Sequence, residues 1–161
     1  RGNLVLEEVY NSREELQTSS EYLYDEGNLT RWNVKDSSGS LLAYTEYRWD
    51  GDRNVRIDTY SSGGVLTDYF LRTFVAGNLA SQEKFTENGT SSGKVEYGYG
   101  NGLLTKEQHY RANGSLERTV LYEYDQEGSV VREVYKRADE TVEQVISREF
   151  AYREEEHLIK E

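Results

Sequence analysis

The pattern aromatic-x-aromatic returns along this chain at Tyr22/Tyr24, Tyr47/Trp49, Tyr97/Tyr99, Tyr122/Tyr124 and Phe150/Tyr152, with Arg72 and Phe74 at the place between the second and third. The first positions step by 25, 25, 25, 25 and 28 residues. A second series, Tyr10, Val34, Tyr60, Phe85, Tyr110 and Tyr135, steps by 24, 26, 25, 25 and 25. A period this regular, run six times through 161 residues, makes each copy one supersecondary unit that can bury its apolar side only against its neighbours.

Turn chemistry divides each copy in two. An aliphatic residue follows two positions after Gly, or a polar stand-in, in "GNL" at Gly27 and Gly77, "GSL" at Gly39 and Gly114, "GKV" at Gly93 and "GSV" at Gly128. Gly reaches positive φ at little cost, and Asn or Asp beside it bonds to nearby backbone. Between turns lie Val, Ile, Thr, Tyr and Phe with no Pro, the composition of strands joined as hairpins. From Leu116 to Tyr124 the apolar residues Leu116, Val120, Tyr122 and Tyr124 share parity, against Glu117, Thr119 and Glu123. Period two favours strands over helices. Only "ADETVEQVISREF" also fits a helical stripe, and the repeat register argues for a strand there too.

The other half of each copy is irregular. From turn aliphatic to aromatic the separation is 6, 5, 5, 6, 6 and 5 residues, so parity is kept in only three copies. Either β-bulges absorb the odd residue, or that aromatic changes face from copy to copy. The expectation is one all-β repeat domain over residues 1–161: an antiparallel up-and-down meander of about twelve strands and the start of a thirteenth. It would curve into an open, barrel-like or spiral sheet, with the Tyr and Trp ladder on its concave face and mixed charge on the other.

Composition removes several function classes. With 30 acidic residues against 19 Lys and Arg, the net charge of −11 repels a phosphate backbone, so nucleic acid is not an expected partner. The absence of Cys excludes disulfides, thiolate metal sites and cysteine nucleophiles. No apolar run approaches the roughly 18 residues of a spanning helix. The missing initiator Met points to a processed or trimmed piece, and the turn signatures at "RGNL" and "EHLIKE" leave two readings, a region cut from a longer array or ends that need another element as a cap.

At "YLYDEGNLTRW" and "YEYDQEGSVVRE" the chain resembles the YD repeats of the RHS family, in which Tyr-x-Tyr-Asp leads into a Gly turn and an aliphatic residue. The residues that carry this are Tyr22, Tyr24, Asp25, Gly27 and Leu29, then Tyr122, Tyr124, Asp125, Gly128 and Val130, with Trp49 and Asp50 in a degenerate third copy. The resemblance implies an extracytoplasmic, non-enzymatic scaffold of the secreted or cell-surface kind. The Tyr and Gly turn repeats are similar also to MORN-type hairpin arrays.

The polar residues offer little chemistry. His109 and His157 lie in no metal or triad spacing, and pairs such as Asp25/Glu26 or Glu154/Glu155 are expected by chance among 30 acidic residues. "DEGN" and "DGDRN" lack the full ligand spacing of a calcium loop, and Asp25 and Asp125 read as turn formers bonded to backbone. The sequons at Asn28, Asn88 and Asn113 fall at turns that want Asn anyway. No catalytic residue, metal site or cofactor is assigned.

The aromatics carry the functional expectation. Most of them are core, since Tyr buries its ring and keeps its hydroxyl wet. Trp32, Tyr44, Tyr69 and Phe70 fall outside the two series, and with Tyr47 and Trp49 they form the candidate partner-binding set. Trp32 has the parity opposite to Leu29, which places it on the polar face. The reading is a non-enzymatic binding or scaffold module of a secreted, periplasmic or surface bacterial protein, engaging a protein or glycan partner. The alternative is a carrier of lipid or another hydrophobic molecule in an aromatic-lined trough, and a glycan-cleaving enzyme ranks below both.

Overall fold

Two kinds of turn set the architecture. In the short kind, Glu26 and Gly27 have φ of 47° and 85°, and Ala76 and Gly77 have 49° and 85°. Positive φ at both central positions gives a two-residue hairpin turn whose twist matches its strands. In the long kind a side chain organises the loop. Asp36 Oδ1 accepts from the backbone N–H of Ser38 at 2.8 Å and of Ser40 at 2.9 Å, and Gly39 closes the loop with φ 81°.

The computed structural model describes residues 2–152. These turns join twelve strands: β1 (Leu6–Tyr10), β2 (Leu16–Asp25), β3 (Asn28–Asp36), β4 (Leu41–Asp50), β5 (Arg53–Ser61), β6 (Leu66–Val75), β7 (Asn78–Thr86), β8 (Ser91–Gly100), β9 (Leu103–Arg111), β10 (Leu116–Tyr124), β11 (Val130–Arg137) and β12 (Val142–Ser147). They form one antiparallel sheet in sequential order, β1 through β12, with the first strand not paired to the last. The meander is therefore open, and the ambiguous segment before Phe150 is strand β12. Phe150 and Tyr152 lie beyond it in irregular chain, and the expected thirteenth strand, with Glu154, Glu155 and His157, falls outside the described residues.

The chain divides into two compact units, Arg1–Glu96 with His109–Ser115, and Tyr97–Gln108 with Leu116–Glu161. In the first, successive strands from β1 to β7, with the start of β8, pair as ladders; in the second, β10, β11 and β12 do so. Every described ladder carries a register shift just inside its second strand. Between β2 and β3, for example, Leu23 faces Arg31 while Tyr24 faces Leu29, which leaves Thr30 as the extra residue. These bulges absorb the odd residues in the aromatic spacing.

Spacing still decides the face where it departs from 25. Tyr60 and Phe85 lie opposite Tyr44 and Tyr69, on the side away from Tyr47 and Arg72. Val34, one residue out of step, pairs with Ser20 on the side of Tyr22. In the second unit, the turn after Asp125 is of the long kind, one residue longer than its counterparts. That slip places Tyr135 opposite Val120, on the side of Tyr122. Both alternatives left open by the sequence are thus used, bulges throughout and a change of face where the step is 24 or 26, or where the turn lengthens.

Dry core is scarce. Among the described residues, Val120 (2% exposed) and Val134 (7%) are the buried aliphatics, while Asp58, Thr119, Asn54 and Thr45 are buried polar groups. Cohesion comes from cross-strand side-chain pairs on half-buried surfaces, each contributing about 0.2–1 kcal/mol.

Candidate functional site

One side of the first unit carries the aromatic pairs. Tyr22 on β2 lies directly opposite Trp32 on β3, with ring centroids 6.2 Å apart and planes 2° from parallel. Tyr47 faces Ile57, which in turn faces Phe70. The second aromatic of each pair anchors to backbone across 20 residues: Tyr24 Oη donates to Leu4 O at 2.9 Å, and Trp49 Nε1 to Leu29 O at 2.8 Å. In the second unit Tyr124 Oη does the same to Leu104 O at 2.6 Å. The first aromatic bonds to a carboxylate 15 residues earlier, Tyr22 to Glu7 at 3.1 Å and Tyr122 to Glu107 at 3.1 Å.

The Tyr47 copy departs from this rule. The place held by Glu7 and Glu107 is occupied by Trp32, which offers no acceptor, and its own Nε1 is buried without a partner. Burial lifts the Tyr47 hydroxyl above the usual phenol range, with the neighbouring Tyr22 adding to the rise. The Tyr22 hydroxyl is likewise raised, by burial first and then by its bond to Glu7.

Beside this broken copy lies a cleft of about 360 Å³ lined by Tyr47, Trp49, Asp25, Glu26, Asn28, Thr30 and Gly51. Trp49 has its N–H committed to Leu29, which anchors the ring where it lines the cleft. Among the described residues, none donates a hydrogen bond to the Asp25 carboxylate, in contrast to Asp125, whose Oδ1 accepts from the backbone N–H of Glu127 at 3.0 Å and of Ser129 at 2.9 Å. The reading of Asp25 as a backbone-bonded turn former is therefore corrected: its turn needs only two residues and leaves the carboxylate over.

The other side of the first unit is not the plain charged surface expected of it. Tyr44 stacks on Tyr60 at 4.7 Å and Tyr69 on Phe85 at 5.0 Å, each pair 13° from parallel. A guanidinium covers each outer ring, Arg31 over Tyr44 at 3.8 Å and Arg56 over Tyr69 at 4.2 Å. Arg31 Nε donates to Asn33 Oδ1 at 2.8 Å, and Arg56 Nε to Asp58 Oδ1 at 2.7 Å. Positions 31, 33, 44 and 60 thus recur as 56, 58, 69 and 85, a second repeat written on the opposite side of the strands.

This arrangement separates the six residues singled out from the sequence. Trp32, Tyr47, Trp49 and Phe70 share one side, and Tyr44 and Tyr69 the other. Trp32 is not on the side opposite Leu29. The bulge at Thr30 returns both to the side of Tyr22 and Tyr24, because one extra residue inverts the parity count. Tyr44 and Tyr69 are not strays from the repeat but its members, 25 residues apart. Missed by the sequence reading were Arg31, Arg56 and Asp58, although the spacing of Arg31 and Arg56 was there to find.

Within the described residues, no group of three or more His, Asp or Glu is placed to hold a metal ion. His109, on β9, is half-buried. No protein-family model matches the chain, nor does any curated protein. Among solved structures, a protein of unknown function from Bacteroides fragilis aligns at 13% identity over 82% of this chain and 92% of its own, with a TM-score of 0.33. A porin-like protein from Bacteroides uniformis aligns at 10% identity over 81% of each chain, with a TM-score of 0.35.

Proposed function

We propose that this chain is a non-enzymatic binding module of a secreted, periplasmic or surface bacterial protein, and that it engages a glycan partner through the cleft at Tyr47 and Trp49. One observation carries the reading: a Trp49 ring anchored through its N–H, with Tyr47 in the same cleft, beside carboxylate and amide groups not used by the fold. A sugar ring needs both, an aromatic face for its C–H side and carboxylate or amide groups for its hydroxyls. Holding the Trp49 ring in place before binding reduces the ordering cost. The resemblance to YD repeats supports an extracytoplasmic setting. Charged and polar lining fits a sugar better than the acyl chain of a hydrophobic carrier.

A glycan array with the purified chain tests this. Binding by the wild type is expected to be lost in Trp49→Ala and weakened at least tenfold in Asp25→Asn, with circular dichroism unchanged in the latter. Failure of every glycan to bind, or full binding by Asp25→Asn, would refute the assignment.

A further inference from the structure

The stacked aromatics of the first unit end in an open place. In two copies the same slot is filled by a tyrosine of the chain itself. Tyr44 stacks on Tyr60 and Tyr69 on Phe85, and each tyrosine hydroxyl points to a turn glycine. A Cβ at Gly64 would lie 3.6 Å from Tyr44 Oη, and one at Gly89 would lie 3.7 Å from Tyr69 Oη. The third copy keeps the two ends of this arrangement, with Tyr110 in the place of Tyr60 and Phe85, and Gly114 in the place of Gly64 and Gly89. It changes what lies between: Lys94 replaces the tyrosine and Ser81 replaces the arginine.

Lys94 does not fill the slot. Its Nζ runs along its own strand to Glu96 Oε1 at 2.6 Å, and Tyr110 Oη joins the same carboxylate at Oε2, at 3.3 Å. Nothing lies within 4 Å of the Cβ position of Gly114. The outcome is a cleft of about 330 Å³ bounded by Tyr110, Gly114, Lys94, Glu96, Glu83 and Arg111.

We propose that this cleft is a docking slot for the side chain of a tyrosine carried by a partner polypeptide. The incoming ring stacks on Tyr110 as Tyr44 and Tyr69 stack on their own partners, and its hydroxyl reaches Gly114. A polypeptide tyrosine is the occupant because the two equivalent slots are filled in that way, by a side chain from an adjacent strand. The charged rim of Lys94, Arg111, Glu83 and Glu96 meets the peptide groups on either side. The site is separate from the Tyr47 and Trp49 cleft, and the proposal does not depend on glycan binding there.

The test is a titration of the ¹⁵N-labelled chain, followed by NMR, with a short extended peptide having one central tyrosine, with the same peptide carrying alanine there, and with p-cresol. Saturable shifts at the Gly114 and Arg111 amides are expected from the tyrosine peptide, at least tenfold weaker from p-cresol and none from the alanine peptide. Lys94→Tyr restores the repeat and refills the slot, so it should keep a folded spectrum and lose the response. No shift with the tyrosine peptide, or an unchanged titration in Lys94→Tyr, overturns the slot. Equal affinity for p-cresol overturns the assignment to a polypeptide and makes a small phenol the ligand.

Discussion

Arg56 donates from Nε to Oδ1 of Asp58 at 2.7 Å, and Asp58 is fully buried in a sheet that buries almost nothing else. Its second oxygen faces Arg48 Nη2 at 3.1 Å, an ion-pair contact without hydrogen-bond alignment. The same Arg56 guanidinium lies over Tyr69. Carboxylate, guanidinium and ring are therefore one cluster, held on β5 and β6.

Removing the carboxylate leaves two arginines converging on nothing. Asp58→Ala is expected to cost about 3 kcal/mol, the lower end of the range for breaking a buried pair, since Arg48 remains largely in water. Arg48→Ala, which removes the exposed partner, should cost under about 1 kcal/mol. Urea denaturation checks both. Equal midpoints for the two variants would show that the burial of Asp58 is not what ties the cluster together.

The stacked rings on that side predict a measurable coupling. Tyr69→Ala and Phe85→Ala each remove a half-buried ring, and the pair should show a coupling energy of about 0.5–1.5 kcal/mol in a double-mutant cycle. Ser19 and Lys35 face each other on the same side without a ring pair, so substituting both should give energies that add. Strict additivity at Tyr69 and Phe85 would mean the rings are neighbours without being partners.

Much of this fold was legible because a meander of hairpins writes its period directly into the sequence. The limits of β10, Leu116 to Tyr124, and the strand nature of the segment at Val142 both followed from the repeat. The faces were harder. A parity count from Leu29 to Trp32 fails at the Thr30 bulge, which no single residue type announces. The site was legible only in part, since Tyr47 and Trp49 share a cleft while Tyr44 and Tyr69 lie on the other side. Asp58 gave no signal at all. Its burial depends on two arginines from β4 and β5 meeting over it, a relation that emerges only once the register is set.

Backbone conformation gives opposite predictions at two small residues. Ala76 holds φ 49° in a two-residue turn, a region costing a non-glycine residue about 1–2 kcal/mol. Ala76→Gly should therefore raise the urea midpoint, less the entropy that glycine loses on folding. Gly93, on β8, has φ 140°, and a Cβ there would meet the carbonyl oxygen of Tyr110 at 2.9 Å. Since that atom is backbone, Gly93→Ala should destabilise by more than about 1 kcal/mol. A neutral Gly93→Ala would mean that the strand yields there.

Acid should unravel the long turns before the ladders. The Asp36 carboxyl is held below its ordinary value of 3.8 by the Ser38 hydroxyl and then the Ser40 amide. Asp125 is lowered by the Tyr152 hydroxyl and then the Ser129 amide, and Asp139 by the Thr141 side chain and then its amide. A carboxyl with a depressed folded pKa contributes stability that is complete above its unfolded value and lost as pH falls through the folded one. The window therefore opens near pH 4 and extends downward. Asparagine keeps an oxygen acceptor without a titrating proton, as Asn11 does when it takes Arg13 N at 2.8 Å and Glu15 N at 3.1 Å. The triple variant Asp36→Asn, Asp125→Asn, Asp139→Asn should thus lose stability less steeply than wild type between about pH 4 and pH 2, and little at pH 7. Thermal melts across that range read the slope, and parallel curves for the two proteins would mean that acid acts on other carboxylates.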